Sequence, residues 1–379
     1  MQRVRYGMVG GGEGAFIGAV HRMAARLDDA WELVCGAFSS TAERSQRSGD
    51  ALGLPPTRVY DDYQAMMKRE SMLPAGERMQ VVVIVTPNRS HLPIAREALE
   101  RGFHVLSDKP ATASLAECRE LAAALKRRSL RYGLTHPYSA YPMIREARAR
   151  VAHGDLGAVR KVLVEYTQGW LADPIEQDGQ KQAAWRVDPA LAGAGGAMGD
   201  IGVHAFQLAE FVSGREVRQL AADLYRTVPG RMLDDDATVL LRFDGGASGV
   251  LIASQIFVGD ENNLRLRIVG AKAQLDWQQL EPNSLWLKSG NGPAQLLRTG
   301  HPGTGPESKA SRRVPSGHPE GYIEAFGNLY REFALSLQQS TPTNVPGIGA
   351  ALRGMAFVET AVASSADGVV WQVMPDLEY

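Results

Sequence analysis

The sequence predicts an α/β protein in two parts: a doubly wound parallel sheet and, after it, a domain with a mostly antiparallel sheet. Up to about residue 135, short apolar runs alternate with amphipathic helical segments, which is typical of a parallel sheet wrapped by helices. Beyond about residue 140, longer strands alternate apolar with polar residues, which favours an antiparallel sheet with one covered face. We therefore expect two domains, residues 1–135 and residues 136–379.

In the first part, apolar runs predict the strands and amphipathic segments predict the helices. The continuous β-branched run at 81–85 stops at Thr86-Pro87-Asn88, as expected of a buried parallel strand. The predicted strands are 4–9, 32–38, 81–85, 103–107 and 131–135. The predicted helices are 15–27, 42–52, 61–69, 90–101 and 115–128.

The second part opens with a predicted helix at 141–152 and closes with helices at 322–337 and 350–364. The clearest strand, 263–269, places Leu and Ile on one face and Arg on the other. The segment 290–319 is rich in Gly, Pro and Ser and predicts a long surface excursion. The other predicted strands are 159–166, 217–226, 237–243 and 249–255.

Composition excludes several classes of protein. The net charge of −1, from 41 basic and 42 acidic residues, gives no basic excess for nucleic acid or an anionic membrane. The two cysteines, Cys35 and Cys118, exclude a disulfide framework and indicate a reducing compartment. An apolar strand begins at Val4, which leaves no room for a signal peptide, and the apolar run at 81–85 is far too short for a membrane span. We expect a cytoplasmic protein.

A glycine-rich loop follows the first predicted strand and precedes the first helix. Glycines there let a pyrophosphate approach the backbone, and the helix N-terminus attracts its charge, so we expect a dinucleotide-binding Rossmann domain. Two registers stay open: Ala15 at the third glycine position, or Gly18 there with two residues inserted. The residues expected to contact the dinucleotide are Gly10, Gly12, Gly14, Ala15, Phe16 and Ile17.

The second predicted strand lacks the acid that would hold a ribose 2′-hydroxyl. It ends in Ser39, Ser40 and Thr41, with Arg44 one turn into the next helix. Hydroxyls and a cation suit a 2′-phosphate, which favours NADP. The hydroxyl residues are equally well explained as a helix cap, so NAD stays open.

Polar residues also follow the next two predicted strands. Thr86, Pro87 and Asn88, with His91 one turn on, follow 81–85, and Asp108 and Lys109 follow 103–107. Ligands of open α/β sheets bind beyond the carboxyl ends of the strands, which places these residues at the cofactor edge. Asn88 could also cap a helix, which is compatible with a contact to the ribose, and the lysine alone would suggest only a surface loop.

Asp200 and His204 are four residues apart, and on a helix they share one face. A carboxylate beside an imidazole can move a proton near neutral pH. Taken alone, the pair is better explained as a helix N-cap and a buried core histidine, and only Lys109 and the glycine loop favour the catalytic interpretation. A metal site is disfavoured, because no third ligand has comparable spacing.

Taken together, these motifs resemble the Gfo/Idh/MocA oxidoreductases over nearly the whole chain. The resemblance implies an N-terminal Rossmann domain, a C-terminal α/β domain with a large open sheet, NAD(P) as cofactor and a sugar, cyclitol or sugar derivative as substrate. It also implies a homodimer or homotetramer formed through the sheet. The motifs are the glycine loop, Thr86-Pro87-Asn88 with His91, His104-Val105 with Asp108-Lys109-Pro110, Trp185-Arg186, and Gly195-Gly196 with Asp200-Ile201-Gly202 and His204. The glycine loop and residues 318–322 resemble a branch that includes levoglucosan dehydrogenase-like proteins.

By this resemblance, Lys109, Asp200 and His204 match the catalytic positions. We expect hydride transfer between nicotinamide and a secondary hydroxyl or ketone; the alternative is a dinucleotide-binding regulator without turnover. One departure is Asp108, where the family usually has the longer Glu. Trp185 and Arg186 match residues near the cofactor, and Tyr138, Gln168 and Trp170 fall where relatives line the substrate pocket.

Overall fold

The computed structural model describes residues 2–339 and 343–377. The described residues form two compact units, one from 2–136 with 326–339 and 343–352, and the other from 137–325 with 353–377. A single boundary was expected near residue 135, whereas the first unit also includes residues from near the end of the chain. Residues 326–339 and 343–352 belong to the first unit although they lie late in the sequence.

The first unit contains a five-stranded sheet in the order β2-β1-β3-β4-β5, with every pair parallel. This confirms the expected doubly wound parallel sheet. The strands are β1 (Val4–Gly10), β2 (Trp31–Ala37), β3 (Val81–Val85), β4 (His104–Ser107) and β5 (Tyr132–Leu134). The helices are α1 (Phe16–Leu27), α2 (Ala42–Ala51), α3 (Tyr63–Ser71), α4 (His91–Glu100) and α5 (Leu115–Lys126).

The strand order reverses at β1, which pairs with β2 on one side and β3 on the other. Because all five strands are parallel, their carboxyl ends lie at one edge of the sheet. Open α/β sheets bind ligands at that edge, beside the reversal. The turns after β1, β3 and β4 are therefore placed where a ligand belongs.

Aromatic packing explains why the late segment joins the first unit. The indole N–H of Trp31 donates to the carbonyl oxygen of Tyr330 at 2.9 Å, and its ring packs edge-on against that tyrosine. Phe333 stacks on Trp31, and Phe326 packs edge-on against His21. These large rings are buried only where the two segments pack together, so the late segment belongs to the first unit despite its position in the sequence.

The second unit contains a nine-stranded sheet in the order β13-β12-β11-β10-β6-β9-β8-β7-β14. All of its pairs are antiparallel except β6 with β9, which is parallel. The strands are β6 (Val159–Thr167), β7 (Val217–Tyr225), β8 (Asp236–Phe243), β9 (Ser248–Ser254), β10 (Asn263–Gly270), β11 (Ala273–Gln278), β12 (Ser284–Ser289), β13 (Gln295–Arg298) and β14 (Gln372–Val373). The helices, counting two that share residues with the first unit, are α6 (Pro142–His153), α7 (Lys181–Arg186), α8 (Pro189–Ala192), α9 (Val203–Ser213), α10 (Pro306–Ala310), α11 (Tyr322–Gln339) and α12 (Ile348–Ala366).

This large, mostly antiparallel sheet confirms the expected second architecture. In β8, buried Ala237, Val239 and Leu241 alternate with exposed Thr238 and Leu240. Helix α9 packs on β6 and β9, so one face of the sheet is covered and the other is open. The segment 290–319 is mostly exposed, as expected of a surface excursion, and it contains β13 and α10. No helix among the described residues has both the length and the apolarity needed to cross a membrane.

Helix α1 packs closely against the end of β1 through two glycines. A Cβ at Gly18 would lie 2.4 Å from the Cα atom of Gly11, much too close for any side chain. The third glycine of a dinucleotide-binding loop has this packing role. Of the two registers left open by the sequence, the geometry therefore favours the one that ends at Gly18.

We expect Gly18→Ala to lower the free energy of unfolding by about 1–3 kcal/mol, because the added methyl must displace backbone atoms. Urea unfolding monitored by circular dichroism measures the change. The control is Gly76→Ala, whose Cβ would meet no atom within 4 Å. It should stay within about 0.5 kcal/mol of the wild type. Equal stability of the two variants would contradict the packing role of Gly18.

Candidate functional site

The glycine loop of the first unit is shaped for close approach to its backbone. Gly10, Gly11 and Gly14 have φ values of 81°, 69° and 77°, which side chains disfavour. A Cβ at Gly12 would lie 2.7 Å from the carbonyl oxygen of Phe38. Ala15 occupies the N-cap of α1 and supplies no capping side chain, while Phe16 in the first turn is 69% exposed and Ile17 follows it. The open helix start and the bare loop fit a dinucleotide pyrophosphate.

The residues after β2 present hydroxyls and a cation to solvent. Thr41 occupies the N-cap of α2 but makes no capping hydrogen bond with its side chain, which weighs against the simple helix-cap interpretation. Ser40 and Arg44 are exposed, and Ser39 is half-buried. Arg47, one turn further along α2, is already paired with Glu43 at 2.7 Å.

The turn after β3 is closed by its own side chains. The hydroxyl of Ser90 lies 2.8 Å from that of Thr86 and donates to the carbonyl oxygen of Pro87 at 2.7 Å. Asn88 is buried and opens a short 3₁₀ turn, and the N-cap of α4 is Ser90. Asn88 is therefore not the cap of the long helix that follows.

The turn after β4 carries Lys109. The Oδ1 atom of Asp108 accepts hydrogen bonds from the backbone N–H of Lys109 and from the hydroxyl of Thr135, both at 2.9 Å. The backbone N–H of Asp108 donates to the carbonyl oxygen of Ile84 at 2.8 Å. The aspartate, one methylene shorter than the usual glutamate, thus folds back on its own turn and fixes the backbone of the lysine.

His91, expected as a cofactor contact, is only 1% exposed. Its Nδ1 atom lies 2.8 Å from the carbonyl oxygen of Pro110, and its Nε2 atom lies 2.7 Å from that of Thr86. Its ring therefore contacts the backbone of both neighbouring turns.

In the second unit, Asp200 lies in a π-helical turn, Met198–Gly202, and His204 lies in α9 directly after it. Such turns are frequent at functional sites. The Oδ2 atom of Asp200 accepts hydrogen bonds from Nε of Arg186 at 2.9 Å and from Nε2 of Gln255 at 3.0 Å. The guanidinium of Arg186 therefore balances the carboxylate charge.

The glycine-rich stretch before Asp200 is anchored by Asp234. The carboxylate of Asp234 accepts the backbone N–H groups of Gly196 at 2.7 Å and Met198 at 2.8 Å. A Cβ at Gly196 would lie 2.1 Å from the carbonyl oxygen of Asp234, so glycine is required there. Burial raises the pKa of Asp234, and these two N–H groups act in the opposite direction.

A network of amide and phenol groups lies beside this helix. Asn262 accepts through Oδ1 from the hydroxyl of Tyr166 and from Nε2 of Gln168, both at 2.7 Å. The indole N–H of Trp170 donates to Oε1 of Gln168 at 2.9 Å. Because the hydroxyl proton of Tyr166 is directed at Asn262, its oxygen accepts from Tyr138. The orientation of each amide is thereby fixed.

Tyr138 is buried, and its hydroxyl group is used within this network. Its ring lies 5.0 Å from the ring of His204, nearly perpendicular to it. The tyrosine expected to line the substrate pocket thus also holds the candidate catalytic imidazole in place. Burial raises the pKa of Tyr138, so its phenol is neutral at neutral pH.

Strand pairing explains why these polar groups meet. Residues Gln168 and Gln255 directly follow β6 and β9, which are parallel with Thr167 opposite Ser254. Asn262 directly precedes β10, which is antiparallel to β6. Three strand ends therefore present amides together. Tyr166, Gln255 and Asn262 were not predicted as site residues; the signal in the sequence is that each is a polar residue at or beside the end of a predicted strand.

Trp185 and Arg186 end helix α7. The guanidinium of Arg186 lies 4.2 Å from the ring centre of Trp185 and 5.6 Å from that of Trp170. Cation–π contacts of this kind hold the arginine toward Asp200. Within 2–339 and 343–377, no group of three or more His, Cys, Asp or Glu side chains is placed to hold a metal ion.

Comparison with known proteins gives a consistent family. Residues 4–136 match the oxidoreductase family model with an NAD-binding Rossmann fold, and residues 144–276 match the GFO/IDH/MocA C-terminal domain. The uncharacterized oxidoreductase YfiI of Bacillus subtilis is 34% identical over 97% of this chain and 96% of its own.

Solved structures agree over the whole length. The oxidoreductase from Sinorhizobium meliloti is 45% identical with a TM-score of 0.89, covering 98% of this chain and 100% of its own. An inositol dehydrogenase homolog from Azotobacter vinelandii, solved with NAD+, is 34% identical with a TM-score of 0.94, covering 98% and 97%. The same homolog was also solved with NADH and myo-inositol, at 33% identity and a TM-score of 0.91, covering 98% of both chains. The family expected from the sequence motifs is confirmed: this chain belongs to the Gfo/Idh/MocA oxidoreductases.

Proposed function

We propose that this protein is an NAD(P)-dependent dehydrogenase that acts on a secondary hydroxyl of a sugar, cyclitol or sugar derivative. The observation that supports it most is the fixed set of amides and the carboxylate around Asp200, Gln168 and Gln255. Neighbouring amide and carboxylate groups are suited to several hydroxyls on one small ring. The Azotobacter vinelandii homolog, solved with NADH and myo-inositol, supports the same substrate class.

The roles of the catalytic residues follow from their chemistry. When bound, the nicotinamide accepts or returns the hydride. His204 takes the proton of the substrate hydroxyl, as a positioned imidazole can near neutral pH. Lys109 can donate a hydrogen bond to a substrate oxygen and stabilise a negative charge that develops on it. Asp200, held by Arg186 and Gln255, orients the substrate hydroxyls.

For the cofactor, we propose a preference for NADP. The support is the absence of an acid after β2 and the exposed side chain of Arg44 near Ser39 and Ser40. Lysine or arginine with hydroxyls is well suited to a 2′-phosphate. The Azotobacter vinelandii homolog was solved with NAD+ and with NADH, so the preference must be measured for this chain.

Lys109→Met and His204→Asn should each lower kcat by at least about 100-fold, because a positioned acid–base group contributes that much. Their affinity for reduced cofactor, measured by fluorescence, should change little. Turnover is followed at 340 nm with NAD and NADP against a panel of sugars and cyclitols. The matched controls are Lys126→Met and His301→Asn, both at exposed positions. Cofactor binding without turnover on any substrate would contradict the proposal and favour the non-catalytic regulator.

Arg44→Ala should lower kcat/KM with NADP about tenfold or more and leave the value with NAD unchanged, because one charge-assisted hydrogen bond is lost. Steady-state kinetics with each cofactor measures the ratio. Arg47→Ala on the same helix is the control, since its guanidinium is already paired with Glu43. An unchanged ratio in Arg44→Ala would exclude the preference.

We also propose that the open face of the second sheet joins copies of this chain. Leu240 and Trp286 are 45% and 41% exposed on β8 and β12, where a partner would cover them. Leu240→Arg should reduce the mass found by light scattering to that of one chain, because a buried unpaired charge is costly. Leu280→Arg, in the turn after β11, is the control. A wild-type protein with the mass of a single chain would contradict this assembly.

A further inference from the structure

His91 stands at the start of α4, with the turn after β3 on one side of its ring and the turn after β4 on the other. Its Nε2 atom lies 2.7 Å from the carbonyl oxygen of Thr86, and its Nδ1 atom lies 2.8 Å from that of Pro110. Both distances are those of full hydrogen bonds. One buried ring therefore contacts both of the turns that carry candidate functional residues.

The chemistry of these contacts is unusual because both partners are pure acceptors. A neutral imidazole has one N–H and can donate to one carbonyl only, whereas an imidazolium has two and can donate to both. The hydrogen bonds of an imidazolium are also charge-assisted and stronger. The protonation state of His91 therefore decides whether one turn or both turns are bound.

Lys109 lies between two backbone anchors. On one side, the carboxylate of Asp108 accepts the backbone N–H of the lysine at 2.9 Å. On the other side, Pro110 offers its carbonyl oxygen to His91. Releasing either anchor frees the backbone from which the lysine side chain projects.

We propose that His91 is a positioning residue that ties the turn bearing Lys109 to the turn bearing Thr86 and Asn88, with one hydrogen bond as imidazole and two as imidazolium. Its consequence for catalysis rests on the proposed function of Lys109. The tie itself is a property of the folded chain and can be tested without substrate.

The surroundings of the ring determine the pH below which the second hydrogen bond forms. Burial lowers the pKa of His91, the carbonyl oxygens of Thr86 and Pro110 raise it, and Asp108 and Lys109 act in opposite directions. The net direction is downward, so the ring is neutral at neutral pH and gains its second proton only in more acidic solution. The second bond is therefore present below that pKa and lost as the pH rises through it.

Two conservative variants separate the two bonds. The amide nitrogen of Asn is as many bonds from Cβ as Nδ1 of His, so His91→Asn retains a donor toward Pro110. The amide nitrogen of Gln is as many bonds from Cβ as Nε2, so His91→Gln retains a donor toward Thr86. Hydrogen exchange of backbone amides, read by NMR, reports on each turn.

In solution acidic enough to protonate the ring, where both bonds are present, we expect His91→Asn to speed exchange about threefold to tenfold at 88–90 only, since it loses the bond to Thr86. Under the same conditions His91→Gln should do so at 108, 109 and 111 only, since it loses the bond to Pro110. His104→Asn is the control: it lies at the far end of β4, and its Oδ1 can still accept the N–H of Arg131. It should leave both turns unchanged. Equal acceleration of both turns in both variants, or none in either, would overturn the tie.

The ring nitrogens give a second readout. Nitrogen chemical shifts of His91, assigned by comparison with His91→Gln, should show one protonated ring nitrogen at neutral pH and two in acid. Across the same titration the protection factors of the turn amides, which correct for the pH dependence of the intrinsic exchange rate, should rise. A ring that keeps a single proton down to acid unfolding would overturn the second bond. Failure of every sugar in the turnover assay would count against the proposed function alone, because neither measurement needs a substrate.

Discussion

Parallel pairing of strands determines where the polar groups of this protein come together. In the first unit it brings the ends of β1, β3 and β4 to one edge, so the glycine loop, Asn88 and Lys109 share that edge. In the second unit a single parallel pair, β6 with β9, brings Gln168 beside Gln255 within an otherwise antiparallel sheet. In each unit the polar groups lie close together because the ends of neighbouring parallel strands lie at the same edge of the sheet.

Buried hydrogen bonds then fix how these groups point. Asp108 holds the lysine turn, Asp234 holds the glycine-rich stretch before Asp200, and Asn262 orients its amide and phenol neighbours. A buried polar group without a partner costs about 1–3 kcal/mol, so each network tolerates few alternative arrangements. The same rule applies to His91. Two carbonyl oxygens face its ring nitrogens, and a neutral ring has only one N–H to donate.

Much of the fold could be predicted from local pattern. The run at 81–85 became β3 with the expected bounds, and the alternation at 263–269 became β10 with one added residue. The strands β11 to β14 were not predicted, because short half-exposed strands have weak periodicity and gain their pairing from neighbours. The segment 326–352 was expected in the second domain, since nothing local reveals that Tyr330 and Phe333 pack on Trp31.

The fold class, the glycine loop and the candidate residues Lys109, Asp200 and His204 could all be recognised in the amino-acid sequence, because periodicity and motif spacing are local properties of the chain. The folded chain was needed to show that Gly18 is the packing glycine, that Arg186 and Gln255 hold Asp200, and that His91 faces two carbonyl oxygens. These facts depend on pairs of residues brought together by strand order and helix packing. The separation of two residues along the chain does not predict such pairs. They form through burial and hydrogen bonding in the folded state.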